Sequence, residues 1–349
     1  MSSLRQVPVG RVSVGGGSPV SVQSMLSVPA SDIQASVQQA KALSAAGCDI
    51  IRAAVPDRAC VPLIAALKTN CDRPIVADIH FDYRIALECV AAGVDKIRIN
   101  PGNIGGQDRV KAVADACARA GIPIRIGVNS GSVEPHLLER FGGPTPEALV
   151  ESALYHASLL ERADFGNIVL SMKSSDVAAT YAAYCMAAER CDYPLHVGVT
   201  EAGTERMGVI KSAAGIGGLL LRGIGDTIRV SLTADPVREV EAGLDLLRSL
   251  GLRRADVTVV SCPTCGRTRI NLIALAGQVE QRLKTVTPPR PIKVAVMGCP
   301  VNGPGEAKEA DIGIAGGDGC GLLFKKGRVI RKVPEEGLLD ALLDEIKTL

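Results

Sequence analysis

The sequence predicts an α/β chain built as a TIM (β/α)8 barrel followed by a small α/β domain. Three observations carry that expectation. Up to residue 250, short β-branched runs alternate with longer Ala- and Leu-rich stretches; the runs number eight; and the alternation then restarts around a second set of strands. Eight βα units in about 250 residues match a barrel better than an open doubly wound sheet.

The candidate strands, in order, are VSVQSM (20–25), IIRAAV (50–55), PIVADIH (74–80), KIRIN (96–100), IRIGVN (124–129), IVLSMK (168–173), LHVGVT (195–200) and TIRVSLT (227–233). Between them, stretches such as DIQASVQQAKALSAAGC and VKAVADACARAG have helical composition, and AAGC and AAGV close helices on glycine before the next strand. The GGG at 15–17 reads as a turn. Residues 1–250 are therefore expected to form the barrel and to bind substrate. Residues 251–349 are expected to form the second domain, with strands at DVTVVSC, IKVAVMGC, DIGIAG and RVIRKV, a helix near INLIALAGQVEQRLK, a loop at TPPRP and a last helix from PEEGLLDALLDEIKTL.

Composition narrows the function classes. The chain has 39 Lys and Arg against 37 Asp and Glu, so no global charge draws it to nucleic acid or to a lipid surface. With no Trp and nine other aromatic residues, it has little to stack on bases. The first residues lack a secretory apolar core, and no window offers the roughly 18 apolar residues of a bilayer span. The expectation is a cytoplasmic protein with neither a nucleic-acid nor a membrane partner. In that compartment 11 Cys do not make a disulfide framework. Cys48, Cys60, Cys71, Cys89, Cys117, Cys185 and Cys191 stand mostly beside apolar residues and read as bland thiols. Cys262, Cys265, Cys299 and Cys320 stand apart.

Strand side chains alternate faces, so Arg98 and Asn100 share one face of their strand, as do Arg125 and Asn129, Asp78 and His80, and Arg229 and Ser231. The apolar face must meet the helices. The polar face then points into the barrel near the C-terminal strand ends, where barrel enzymes place their sites. With Arg52, Lys173 and His196 added, the mouth is ringed by cations, with Glu201 and Asp78 as acidic exceptions. Any one inward Arg is as readily explained by an internal carboxylate partner. The set of Arg52, Arg98, Arg125, Lys173 and Arg229 outnumbers such partners and suits an anion such as phosphate.

In the second domain, SCPTCGRT places Cys262 and Cys265 directly after one candidate strand, and GCPVNGPGE places Cys299 directly after another. Two parallel strands ending this way bring three thiolates to one edge. Zinc, a redox disulfide and an iron-sulfur cluster are all open. Cys followed by Pro favours the cluster, and no His beyond residue 196 is present to complete a zinc site. Residue types alone nominate Cys320 as a fourth ligand, while Glu306 is nearer in sequence to Cys299.

These blocks, together with VQSM, ADIHFDYRIAL, IRINPGNIG, IRIGVNSGS, SMKSSD, LHVGVTEAG, GIGDTIRVSLTADP and VMGCPVNGPGEAKEADIGIAGG, closely resemble the bacterial two-domain 4-hydroxy-3-methylbut-2-enyl diphosphate synthase family almost end to end. The resemblance implies a TIM barrel followed by a 4Fe-4S domain. It also implies reductive ring opening of 2-C-methyl-D-erythritol 2,4-cyclodiphosphate in isoprenoid biosynthesis. Carried over by position, the cluster ligands fall on Cys262, Cys265, Cys299 and Glu306, leaving Cys320 as a loop residue. The diphosphate ligands fall on Arg52, Arg98, Asn100, Arg125, Asn129, Lys173, Arg229 and Ser231, with His196 a weaker match. Glu201 and Asn302 correspond to groups near the reacting carbon and the cluster. The family further implies a flavodoxin or ferredoxin electron donor and a head-to-tail homodimer. Apart from the resemblance, two readings compete: a pterin- or phosphate-binding barrel hydrolase or transferase with a structural zinc domain, and a metal-binding sensor module.

Overall fold

The computed structural model describes residues 3–300, 305 and 307–349. It separates into two compact units, one ending at Arg253 and the other spanning Arg254–Leu349. In the first, β1 (Gln6–Val9) and β2 (Val12–Gly15) form an antiparallel hairpin. Eight parallel strands follow: β3 (Ser21–Met25), β4 (Ile50–Ala54), β5 (Ile75–Asp78), β6 (Lys96–Ile99), β7 (Ile124–Asn129), β8 (Ile168–Lys173), β9 (His196–Val197) and β10 (Thr227–Ile228). Their spatial order is β8-β7-β6-β5-β4-β3-β10-β9, and a parallel bridge between Leu170 and Leu195 joins the two ends into a ring. This is the expected (β/α)8 barrel.

Each strand leads to a helix whose start is written in the sequence. Asp32, Asp176 and Asp235 cap Ile33–Ala45, Val177–Arg190 and Pro236–Ser249, accepting the N–H groups of Ala35, Ala179 and Val237 at 2.9, 2.6 and 2.8 Å. Outward-facing strand residues such as Ile51, Ile97, Ile99, Ile124 and Ile126 are buried beneath Leu43, Leu63, Val113, Leu149 and Leu160 of the helices. Burial of apolar surface there holds the helical ring on the sheet.

Two features of this unit depart from expectation. Strands β9 and β10 keep two residues each of the runs predicted at 195–200 and 227–233. Beyond them the backbone bonds to loops: Thr200 N–H donates to Ser174 O at 3.2 Å and Thr233 N–H to Gly203 O at 2.9 Å. The β1–β2 hairpin was not foreseen. Its Val9 and Val14 pack against Ile50 and Val76, closing the N-terminal end of the barrel with an apolar plug.

The second unit is one sheet in the order β11-β12-β13-β14-β15: β11 (Val257–Ser261), β12 (Ile292–Met297), β13 (Ile312–Gly317), β14 (Cys320–Lys325) and β15 (Arg328–Pro334). The first three are parallel and the last two antiparallel. Helices Leu272–Leu283 and Leu338–Ile346 pack their leucines onto Val294, Val296, Ile312 and Ile314. Cys320 does not lie in a loop. It opens β14 opposite Gly317, because the GGDGCG run forms a tight turn and then an extra hairpin strand. Among the described residues, no helix is long and apolar enough to cross a membrane.

A buried pair braces the barrel rim. His156, in helix Pro146–Glu161, meets the Glu134 carboxylate that precedes helix Pro135–Phe141. Burial opposes the Glu134 charge, but the adjoining His156 imidazole and Ser152 side chain outweigh it and bring the carboxyl down from 4.5 to about 2. A depressed carboxyl stabilises the fold above its unfolded pKa, and that contribution disappears as pH falls through the folded value. Urea unfolding should therefore lose stability from about pH 4.5 towards pH 2, and His156→Gln should flatten this acid limb relative to wild type.

Candidate functional site

The inward faces of the barrel strands carry far more positive than negative charge. Asp78, at the end of β5, is 2% exposed. Its carboxylate meets Arg98 Nη1 from β6 at 3.0 Å, Arg52 Nε from β4 at 3.6 Å and His80 Nε2 at 3.6 Å. Burial works against the charge on Asp78, yet Arg52, His80, Arg98 and Arg125 hold its carboxyl well below the usual carboxylate range. Across the ring, Glu239 reaches in from helix Pro236–Ser249. It accepts Leu232 N–H at 2.9 Å and Ser24 Oγ–H at 3.2 Å, and meets Arg229 Nη2 at 3.5 Å.

Against these two carboxylates stand Arg52, Lys96, Arg98, Arg125, Lys173 and Arg229. Arg125 and Lys96 are almost wholly buried, and Arg125 Nε and Nη1 and Lys96 Nζ have no hydrogen-bond partner among the described residues. Burial and then the neighbouring guanidiniums push the pKa values of Lys96, Lys173 and Arg125 well down. Arg52 falls to about 10 for the same first reason and stays charged at neutral pH. A crowd of desolvated cations with unpaired donors is costly alone and is relieved by a multivalent anion with several acceptor oxygens.

Two glycines make room for the ring. A Cβ on Gly127 of β7 would lie 2.5 Å from Arg98 Nε, and the Gly127 carbonyl accepts Arg98 Nη2 at 3.3 Å. A Cβ on Gly198, just past β9, would lie 2.7 Å from the Arg229 carbonyl oxygen and 3.0 Å from Lys173 Nζ. Both glycines occupy inward positions, so a large side chain there would displace the cation that uses the space.

The remaining barrel residues are distributed unevenly. Asn100 is buried and its Oδ1 accepts Gly102 N–H at 3.1 Å, capping the short turn Pro101–Ile104. Asn129 is half-buried at the end of β7, and its N–H bonds Ser132 Oγ at 3.1 Å. Arg229 and Ser231 follow β10 as half-buried residues rather than lying within a strand. His196 is fully buried on β9, with neither ring nitrogen hydrogen-bonded among the described residues. Burial, and then Arg125 and Lys173, drive its pKa well down, so the imidazole is neutral. Glu201 is exposed after β9 with a left-handed φ of 51°, a backbone strain a non-glycine residue rarely bears. Lys96 and Glu239 were missed by the sequence reading. The signal for Lys96 was its place two residues before Arg98 on the same strand face, whereas Glu239, on a helix, left none.

In the second unit, Cys262 follows β11 and Cys299 follows β12, its parallel neighbour, so the topology sets both at one sheet edge. Gly298 N–H donates to Cys262 Sγ at 3.2 Å, and Cys299 is buried. Cys265 is exposed, and hydrogen bonding from Arg267, with help from Thr268, lowers its thiol pKa. Glu306 and Asn302 lie outside the described residues, among which no three Cys, His, Asp or Glu side chains converge at metal-binding distance. The donor chemistry nevertheless fits a thiolate-ligated metal group: a soft set of sulfurs, one receiving a backbone N–H and another biased towards thiolate. The barrel thiols differ in kind, since burial pushes Cys48, Cys89 and Cys117 up to about 12.

Comparison with known proteins gives the affiliation. The profile of the GcpE TIM-barrel domain matches residues 4–244, and that of the GcpE protein C-terminal domain matches residues 258–348. The chain belongs to the GcpE family. It is 56% identical over 348 residues to the 4-hydroxy-3-methylbut-2-en-1-yl diphosphate synthase (flavodoxin) of Ruminiclostridium cellulolyticum, covering 100% of this chain and 98% of that one. To the enzyme of the same name from Caldanaerobacter subterraneus subsp. tengcongensis it is 55% identical, covering 99% and 97%. Among solved structures, the dihydropteroate synthase of Burkholderia cenocepacia superposes with a TM-score of 0.52 at 18% identity, covering 72% of this GcpE chain and 96% of that one. The Thermus thermophilus dihydropteroate synthase gives 0.51 at 16%, covering 71% and 98%. At that identity the likeness extends to the barrel fold alone.

The packing of Gly127 against Arg98 generates a prediction. Gly127→Ala should push the guanidinium off Asp78 and raise the dissociation constant for inorganic diphosphate about tenfold, roughly one charge-assisted hydrogen bond, while leaving the melting temperature within a few degrees. Calorimetric titration of the two proteins measures it.

Proposed function

We propose that this chain carries out the two-electron reductive ring opening and dehydration of 2-C-methyl-D-erythritol 2,4-cyclodiphosphate to (E)-4-hydroxy-3-methylbut-2-enyl diphosphate, in isoprenoid precursor biosynthesis. The observation that carries this reading is the buried excess of cations in the barrel, found in a chain related over its full length to synthases of that name.

In this reading, Arg52, Arg98, Arg125, Lys173 and Arg229 take the diphosphate, with Asn100, Asn129 and Ser231 supplying neutral polar contacts. Neutral His196 lines the inner wall and donates one N–H without adding charge. Binding energy gathered on the diphosphate, remote from the bonds that change, fixes the carbon skeleton at the mouth. Glu201, exposed on the mouth loop, is the carboxyl group placed to relay a proton to the departing oxygen. Cys262, Cys265, Cys299 and Glu306 hold a 4Fe-4S cluster, and Asn302 contacts substrate beside it. When bound, the cluster would relay the donor's two electrons one at a time and supply a Lewis-acidic iron. A carboxylate among three thiolates makes one ligand harder and more readily exchanged than the rest. The electron donor is a flavodoxin or ferredoxin. The protein works in the cytoplasm as a head-to-tail homodimer, in which the second unit of one protomer serves the barrel of its partner.

Anaerobic purification followed by iron and sulfide analysis, and turnover of the cyclic diphosphate with an artificial reductant, tests the reading. A brown protein that consumes the compound is expected; a colourless one carrying a single zinc, with no turnover, overturns it. Cys299→Ser should lose cluster and activity together, whereas Cys320→Ser should keep both. Arg125→Ala should weaken substrate binding far more than cluster loading, and equal loss of both would assign Arg125 to folding instead.

A further inference from the structure

We propose that Met25 is a positioning residue for the cation ring: its thioether sulfur is an uncharged acceptor shared by the Arg52 and Arg229 guanidiniums, aiming both at the diphosphate without cancelling their charge. The inference rests on the cyclic-diphosphate reading above.

The topology places Met25 between its two clients. Strand β3 lies between β4 and β10, and Met25, its last residue, stands directly opposite Arg52 in register. Met25 Sδ receives Arg52 Nε at 3.1 Å and Nη2 at 2.7 Å, and Arg229 Nη1 lies 3.8 Å away. Each guanidinium has a second tether, Arg52 to Asp78 at 3.6 Å and Arg229 to Glu239 at 3.5 Å. A planar guanidinium held at two points has few orientations left, so its remaining donors keep a fixed direction.

The chemistry of the third group decides what that orientation costs. A carboxylate at position 25 would hold both guanidiniums firmly and neutralise the charge that draws an anion. A hydrocarbon would leave N–H groups unpaired in a half-buried rim. A thioether avoids both: it accepts weakly, carries no charge and gives way easily to a phosphate oxygen. Met25 therefore lowers the cost of organising the two arginines before the ligand arrives.

Calorimetric binding of the cyclic diphosphate to the full-length protein, with turnover in parallel, tests the proposal. Met25→Leu keeps the volume and removes the acceptor, so Kd and KM should rise about three- to tenfold, while kcat and melting temperature stay close to wild type. Met25→Gln, an uncharged acceptor of similar reach, should restore binding to within about twofold. Met25→Glu should weaken binding more than Met25→Leu, since it adds a charge that competes with the ligand. Wild-type affinity in Met25→Leu overturns the proposal, as does equal weakening in all three variants, which would reduce Met25 to packing. If the wild-type protein does not bind the compound at all, the functional reading fails, and this one with it.

Discussion

Asp78 anchors the arrangement on which the site depends. A single buried carboxylate draws in side chains from β4 and β6 and from His80, two residues past the end of its own strand, and so fixes the directions of Arg52 and Arg98. Removing it would not simply free those arginines. It would leave several desolvated cations facing one another with Glu239 as their main counter-charge, a situation more costly than losing one hydrogen bond. The barrel is thus organised by a deliberate shortage: enough negative charge to orient the cations, too little to satisfy them.

That shortage is tolerable because of what surrounds it. The outward faces of the same strands are continuously apolar and pack under the helices, so the sheet keeps its shape whatever happens electrostatically within. Alternation along each strand separates the two jobs at single-residue resolution, with isoleucines holding the fold and the residues between them holding charge. Glycines at inward positions complete the division by giving long cationic side chains somewhere to lie. In the second unit the same economy appears in another form. Two parallel neighbours end in cysteine, and the ladder between β11 and β12 sets the sulfurs at one edge before any metal is involved.

Much of this was legible in the sequence. The eight strands, and the parity that turns Arg98, Arg125 and Asp78 inward, follow from β-branched runs with a period of two, which is a local signal. What escaped reading was non-local or lay at an element's edge. Glu239 belongs to a helix, and nothing in its neighbours says that it reaches across to Arg229 and Ser24. Lys96 was legible in principle but sits at the first position of its strand, where an exposed lysine is the ordinary expectation. The β1–β2 hairpin escaped because its turn lies at Gly10–Arg11, whereas the GGG run that reads as a turn follows it at the end of β2. Cys320 was misplaced because GGDGCG looks like loop from end to end, although its last residues pair with β13 and β15. Strands β9 and β10 were drawn too long because their later residues keep the composition of a strand while bonding to loops.

The hairpin beneath the barrel has one more consequence. With Val9 and Val14 seated on Ile50 and Val76, the N-terminal end of the ring is stopped by apolar side chains. A small molecule that binds at the C-terminal rim finds no second opening at the opposite end. Arrival of one molecule and departure of another therefore share a single passage, so any occupant that lingers at the rim blocks its successor.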